Sequence, residues 1–198
     1  GDPVLAALGG AVEFHRGQFE RAAGFLEVAL KAHPRDMTIR ANLAESLYRC
    51  GRSAEALPLC DEASARADQS LRIARLGAHL AQEAGELDQA IVLYRLPVQR
   101  DRNDWAAWNN LGNALDARGD FGAAAQALEK AVALAPDSQP IRLNLGNALI
   151  EAERYEEGEQ VLKQLSADFP GDPQPMLALF AFYRRAGMEQ PGYDALAE

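Results

Sequence analysis

The stretch Asp104–Ser138, DWAAWNNLGNALDARGDFGAAAQALEKAVALAPDS, decides the fold. Apolar or small residues at Trp108, Leu111, Gly112 and Leu115 follow the i, i+3, i+4, i+7 spacing of one helix face, and Arg118-Gly119-Asp120 interrupts it. A second stripe, Phe121, Ala124, Leu128, Ala131 and Val132, continues to Pro136, whose fixed φ and missing N–H end a helix. With Asp104 as N-cap, the pattern predicts a helix, a tight turn and an antiparallel helix. Gly119 would supply the positive φ that reverses the chain, and Gly112 and Ala124 would let the two backbones approach closely. Neither helix can bury its stripe alone, so such hairpins must stack on copies of themselves.

The copies are present. Glycines fall at Gly17, Gly51, Gly85, Gly119 and Gly187, all separated by multiples of 34, and Glu153 fills the gap in the series. Five residues after each position stands a small residue, at Ala22, Ala56, Ala90, Ala124 and Gly158. Nine after stand Leu26, Cys60, Tyr94, Leu128, Leu162 and Leu196. A recurrence of this length marks one supersecondary unit repeated along the chain, and 198 residues hold five whole copies and most of a sixth. Composition agrees: 38 Ala and 26 Leu outweigh the 13 Val, Ile and Thr together, which nearly excludes a sheet-rich fold.

The spacing Trp108, Leu111-Gly112, Leu115, Gly119, Phe121, Ala124, Leu128, Ala131, Pro136 resembles the tetratricopeptide repeat (TPR) almost position for position. Repeats would run 3–36, 37–70, 71–104, 105–138 and 139–172, with a partial sixth from 173 to 198, so the resemblance covers essentially the whole chain. It implies a single all-α solenoid of antiparallel hairpins, wound as a right-handed superhelix whose first helices line a concave groove. Four departures bear on this expectation. Leu8-Gly9 and Leu76-Gly77 stand one residue farther from their turn glycines than Leu111-Gly112 does, which predicts a one-residue shift of the first helix in repeats one and three. Asp68 and Arg102 replace the closing proline. Pro58 and Pro97 fall inside second helices, where each costs about 3 kcal/mol unless the helix kinks or ends, with Leu96 as an alternative stop in the third repeat.

Charge narrows the function. A net charge of −9 offers no basic field for nucleic acid or an anionic membrane surface, so neither is an expected partner. No apolar run approaches the roughly 18 residues of a membrane helix and no leader opens the chain, which favours a cytoplasmic placement. Gly1 reads as a tag scar, and the closing pattern Tyr193–Glu198 reads as a second helix cut short, so the expected protein is an excised part of a longer one. Cys50 and Cys60 would lie roughly 10 Å apart along antiparallel helices, beyond disulfide reach, and read as small apolar packing. His15, His33 and His79 share no repeat position and no metal-ligand spacing with either cysteine, and read as surface or boundary side chains. The acidic residues Glu151, Glu153, Glu156 and Glu157 lack the spacing of a calcium loop and read as a solvated face. No catalytic residue, metal ligand or cofactor motif is assigned.

Amides in phase carry the functional signal. Asn110 and Asn113 recur as Asn144 and Asn147 in the shared string Asn-Leu-Gly-Asn-Ala-Leu, and Asn42 repeats the first of the pair. At about 100° per residue, Asn109, Asn110 and Asn113 centre roughly 150° from the hairpin-core stripe. In the family that face lines the groove, where amides one repeat apart could pair with the N–H and C=O of an extended peptide. The ladder is similar to that of O-linked N-acetylglucosamine transferase repeats. The competing reading is that these amides serve only stacking between neighbouring first helices. The family's carboxylate clamp is a poor match, because Asn109, Gln174 and Ala178 stand where its cations would be needed.

Weaker groove candidates are Arg72, Arg75, Arg184 and Arg185, and Trp105, for which packing is preferred to a binding role. Met176, Leu177, Leu179, Phe180, Phe182 and Tyr183 are too apolar for one hairpin face, so part is expected to cover the fifth repeat and part to contact either missing sequence or a dimer partner, the latter a self-association through 173–198. Together these residues point to a non-enzymatic scaffold that binds an extended peptide or protein segment. The alternative is the substrate-presenting arm of a larger enzyme, such as a glycosyltransferase or sulfotransferase, with its catalytic domain beyond Glu198. A third reading is an architectural subunit in which the amide ladder is idle.

Overall fold

The computed structural model describes residues 2–68 and 70–186. All regular structure among these residues is helical, and contacts gather the chain into two compact units, Gly1–Arg100 and Asp101–Glu198.

The N-terminal unit holds α1 (Pro3–His15), α2 (Phe19–Ala32), α3 (Met37–Arg49), α4 (Ser53–Ala56), a 3₁₀ turn (Leu57–Cys60), α5 (Glu62–Ala67), α6 (Arg72–Glu83) and α7 (Leu87–Arg100). Asp2 caps α1 through Val4 N at 2.9 Å, and Asp36 caps α3 through the amides of Thr38 and Ile39 at 2.9 and 3.0 Å. The turns at Gly17, Gly51 and Gly85 all have positive φ, from 74° to 78°, which only glycine adopts without strain. Leu26 on α2 fills the space left by Gly10 on α1, where a Cβ would come within 2.6 Å of its Cγ. Gly10, not Gly9, thus holds the close-approach position, seven residues before its turn glycine as Gly112 is. The expected shift in repeat one is absent. In the third repeat Ala78 is fully buried at that same position, and Gly77 serves a different contact, with the preceding hairpin, where a Cβ would meet Cys60 Cβ at 2.5 Å.

The two internal prolines act differently. At Pro58 the second helix breaks as expected: α4 gives way to the 3₁₀ turn, Asp61 is extended (ψ 162°), and α5 starts afresh. Through Pro97, fully buried, α7 continues to Arg100, so the helix does not stop at Leu96. Pro97 stands three residues from the helix end, where few further bonds depend on an unbroken ladder.

Asp68 has a use that its position did not suggest. Its carboxylate, almost fully buried, accepts from Ile73 N at 2.8 Å, Ser70 N at 3.0 Å and Ser70 Oγ at 2.6 Å, and so caps α6. Burial pushes the carboxyl up, but the Ser70 hydroxyl and the amides of Ile73, Ser70 and Arg72 outweigh it and hold the group below the usual aspartate range. Both cysteines are free. Cys60 is buried, and loss of solvent drives its thiol up to about 12, whereas Cys50 is only half-buried.

The C-terminal unit holds α8 (Trp105–Arg118), α9 (Phe121–Leu134), α10 (Gln139–Glu151), α11 (Tyr155–Asp168) and α12 (Gln174–Arg185). Leu128 lies over Gly112 and Leu162 over Gly146, repeating the Leu26–Gly10 contact. On α12, Leu179, Phe182 and Tyr183 pack with Ile150 and Leu162, so this part of the apolar segment covers the fifth hairpin, while Leu177 remains exposed. Residues 187–198, with the sixth turn glycine and the second helix expected after it, lie outside the described residues.

Candidate functional site

Five of the six expected amides sit on first helices of the C-terminal unit: Asn109, Asn110 and Asn113 on α8, Asn144 and Asn147 on α10. Asn144 Nδ2 donates to Asn109 Oδ1 at 3.2 Å, and Asn109 Nδ2 lies 3.5 Å from Asn110 Oδ1. Asn110, Asn109 and Asn144 therefore form a hydrogen-bonded row running from α8 to α10. Asn110 and Asn147 are exposed, and Asn109, Asn113 and Asn144 are half-buried. Asn42 is not part of this row. It lies in the N-terminal unit, is nearly buried, and its Oδ1 already accepts from Arg72 Nη1 at 2.9 Å.

Asn147 leads into a cleft of about 450 Å³ between α10 and α12. Ile150, Ala178, Ala181 and Phe182 form its apolar floor, and Glu151, Arg184 and Arg185 stand at its rim. Arg185 Nη1 donates to Glu151 Oε1 at 2.8 Å, and that carboxylate favours the charged guanidinium. Arg184 lies over the Phe180 ring, 6.0 Å from its centre. On the same face of α8, burial and the Glu151 carboxylate raise the Asp116 carboxyl above its ordinary value. The face thus combines neutral amides, an apolar recess and a mixed-charge rim. A cleft of this size has room for side chains of an extended segment, and the amides beside it offer both donors and acceptors.

Sequence reasoning singled out Arg184 and Arg185 but missed the recess itself. Its signal was the apolar character of Ile150 and Phe182 at positions one hairpin apart, which stacking contacts explain equally well. A second arrangement in the N-terminal unit was also missed: Tyr48 Oη on α3 lies 3.0 Å from His79 Nε2 on α6, which is 3.2 Å from Glu83 Oε1. All three histidines are exposed, and among the described residues no three His, Cys, Asp or Glu side chains are grouped as metal ligands. No helix of the described residues is long and apolar enough to cross a membrane. Trp105 is 47% exposed, while Trp108 donates its indole N–H to Arg102 O at 2.9 Å.

Stacked helix-turn-helix units with glycine-reversed turns and side chains presented from their first helices define a helical-hairpin repeat protein. The tetratricopeptide repeat profile matches residues 13–80 and 117–179, and a second profile of that name matches 76–139. The chain belongs to the tetratricopeptide repeat family. No curated protein matches it by sequence. Among solved structures, it is similar to YrrB, described as a TPR protein with an unusual peptide-binding site, at 17% identity and a TM-score of 0.78, covering 89% of this chain and 91% of that one. It is likewise similar to MamA, at 17% identity and a TM-score of 0.73 over 83% of this chain and 90% of that one. The match to MamA from Desulfovibrio magneticus RS-1 has 16% identity and a TM-score of 0.70, over 84% and 95% of the two chains. These likenesses establish the hairpin-solenoid fold.

Proposed function

We propose that the chain is a non-enzymatic interaction scaffold that binds an extended peptide across the first helices of residues 101–186. The observation that carries the reading is the continuity of the amide row with the α10–α12 cleft: Asn109, Asn110 and Asn144 are linked, and Asn147 stands at the recess lined by Ile150 and Phe182. In this reading Asn110, Asn113 and Asn147 pair with peptide N–H and C=O groups, and one apolar side chain enters the recess. Membership in the repeat family and the fold shared with YrrB, whose structure is described as containing a peptide-binding site, support a scaffold role. Asn109 and Asn144 act differently, since the bond from Asn144 Nδ2 to Asn109 Oδ1 fixes the row in register.

The test is selection from a displayed library of random unstructured peptides, followed by titration of the best binder. Asn110→Ala combined with Asn147→Ala should weaken binding by at least about 100-fold, a loss of roughly 3 kcal/mol, and leave the thermal melt almost unchanged. Undiminished binding by this variant would show that the amides are idle.

A further inference from the structure

Asp116, Ile150 and Arg184 occupy one repeat position, each 34 residues from the next, on α8, α10 and α12 in turn. The following position holds Ala117, Glu151 and Arg185. Helix α10 contacts both α8 and α12, so each column is read across two successive gaps. Between α10 and α12 the charges are complementary: Arg185 donates to Glu151 at 2.8 Å, and Ile150 lines the recess beside them. Between α8 and α10 the same columns supply no cation. Ala117 leaves Glu151 without a partner on α8, and Asp116 beside it presents a second carboxylate.

Asp116 is half-buried, and among the described residues its carboxylate makes no hydrogen bond or ion pair. Loss of solvent and the facing Glu151 carboxylate both push its carboxyl up, as expected of a negative charge held without a counter-ion. The cations nearby are engaged elsewhere. Arg185 is held by Glu151, Arg184 lies over the Phe180 ring, and Arg118 of α8 is bonded to Asp120. Like charges facing each other across neighbouring helices repel, and a cation brought in by a ligand turns that repulsion into attraction.

We propose that the peptide bound on this face is basic: a lysine or arginine of the ligand sits between Asp116 and Glu151, while an apolar residue of the same ligand enters the α10–α12 recess. This rests on the peptide-binding reading above and adds the chemistry of the partner. Packed helices lie about 8–10 Å apart, so the cation position and the recess, one gap apart, are separated by about three residues of extended chain at roughly 3.3 Å each. Side chains of an extended chain alternate faces, so separations of about two or four residues aim both at the protein, and the long basic side chain takes up the difference.

The test uses the full chain and the peptides selected from the random library. Those peptides should carry Lys or Arg at that spacing from an apolar residue. Replacing the basic residue by Gln should weaken binding to the unaltered protein at least about tenfold, but to Asp116→Asn by about threefold or less, because the carboxylate it met is gone. Asp116→Asn keeps the shape and removes the repulsion, so it should melt no lower than the unaltered protein. Asp116→Lys should reverse the preference in favour of a peptide with Glu in place of its basic residue. Selected peptides that lack a basic residue overturn the proposal, as does a basic residue whose replacement costs the same in both proteins. Enrichment of acidic residues also overturns it, since the ligand's charge would then meet Arg184 and Arg185. If Asn110→Ala with Asn147→Ala loses a peptide that ignores Asp116→Asn, the face binds peptide and only its preference for a cation is wrong. If no peptide is selected, or the double variant binds undiminished, both readings fall.

Discussion

Glu153 occupies the turn position that Gly17, Gly51, Gly85 and Gly119 hold elsewhere, and it takes the same left-handed conformation, φ 62° against their 74° to 89°. Its Cβ crowds the backbone there at a cost of about 1 kcal/mol, so the fold imposes the turn on a residue that resists it. Glu153→Gly should therefore stabilise the protein by about 0.5–1 kcal/mol and raise Tm by roughly 2–3 °C. A calorimetric melt that is unchanged or lowered would mean the glutamate side chain offsets its own strain. The gap in the glycine series was visible in the sequence. The conformation was not, because spacing alone does not tell a strained turn from a rebuilt one. Asn144 and Asn109 show a similar limit: the phase of the amides was legible, but their mutual bond spans 35 positions and depends on how α8 and α10 stack.

At the scale of the element, α6 depends on a cap supplied from before its own start. Leu71 precedes the helix with φ 60°, a left-handed value that glycine would adopt more easily, and the Asp68 carboxylate holds this turn through Ser70 and Ile73. Asp68→Ala should cost about 1–2 kcal/mol at neutral pH. The contribution depends on pH with a defined sign. The folded carboxyl lies below the ordinary aspartate value of 3.8, so its stabilisation is full above that value and is lost as pH falls through the folded one. In urea titrations the gap between wild type and Asp68→Ala should be widest near neutrality and narrow in strong acid. A gap that stays constant would sink the capping role. Sequence reading saw Asp68 only as a missing proline, since a carboxylate that caps from four residues ahead has no fixed spacing signature. It also read Leu8-Gly9 as out of frame, because in a Gly-Gly pair only the facing Leu26 reveals which glycine is approached.

Across the whole molecule, both units use the same electrostatic staple. Arg52 reaches Glu27 at 3.2 Å and Glu55 at 2.7 Å, and 102 residues later Arg154 reaches Glu129 at 2.7 Å and Glu157 at 2.6 Å. In each, the arginine after a turn ties its own second helix to that of the preceding hairpin, and the carboxylates favour the charged guanidinium. Such surface links help register more than stability. They leave the main difference between the equivalent hairpins to the backbone, where α11 is unbroken and its counterpart is divided into α4, a 3₁₀ turn and α5. Pro58 has no N–H to donate, and extended Asp61 interrupts the ladder again, so fewer bonds must open together there. Repeat proteins open piecewise, since each hairpin contacts only its neighbours, and local protection follows local continuity. Amides from Ser53 to Ala67 should therefore exchange with deuterium at least about tenfold faster than those from Tyr155 to Asp168. Gln160 stands in α11 where Pro58 stands in its counterpart, so Pro58→Gln should restore part of the missing protection. Equal exchange in the two segments of the unaltered protein would show that stacking against α3 and α6, and not the helix ladder, controls opening in this hairpin.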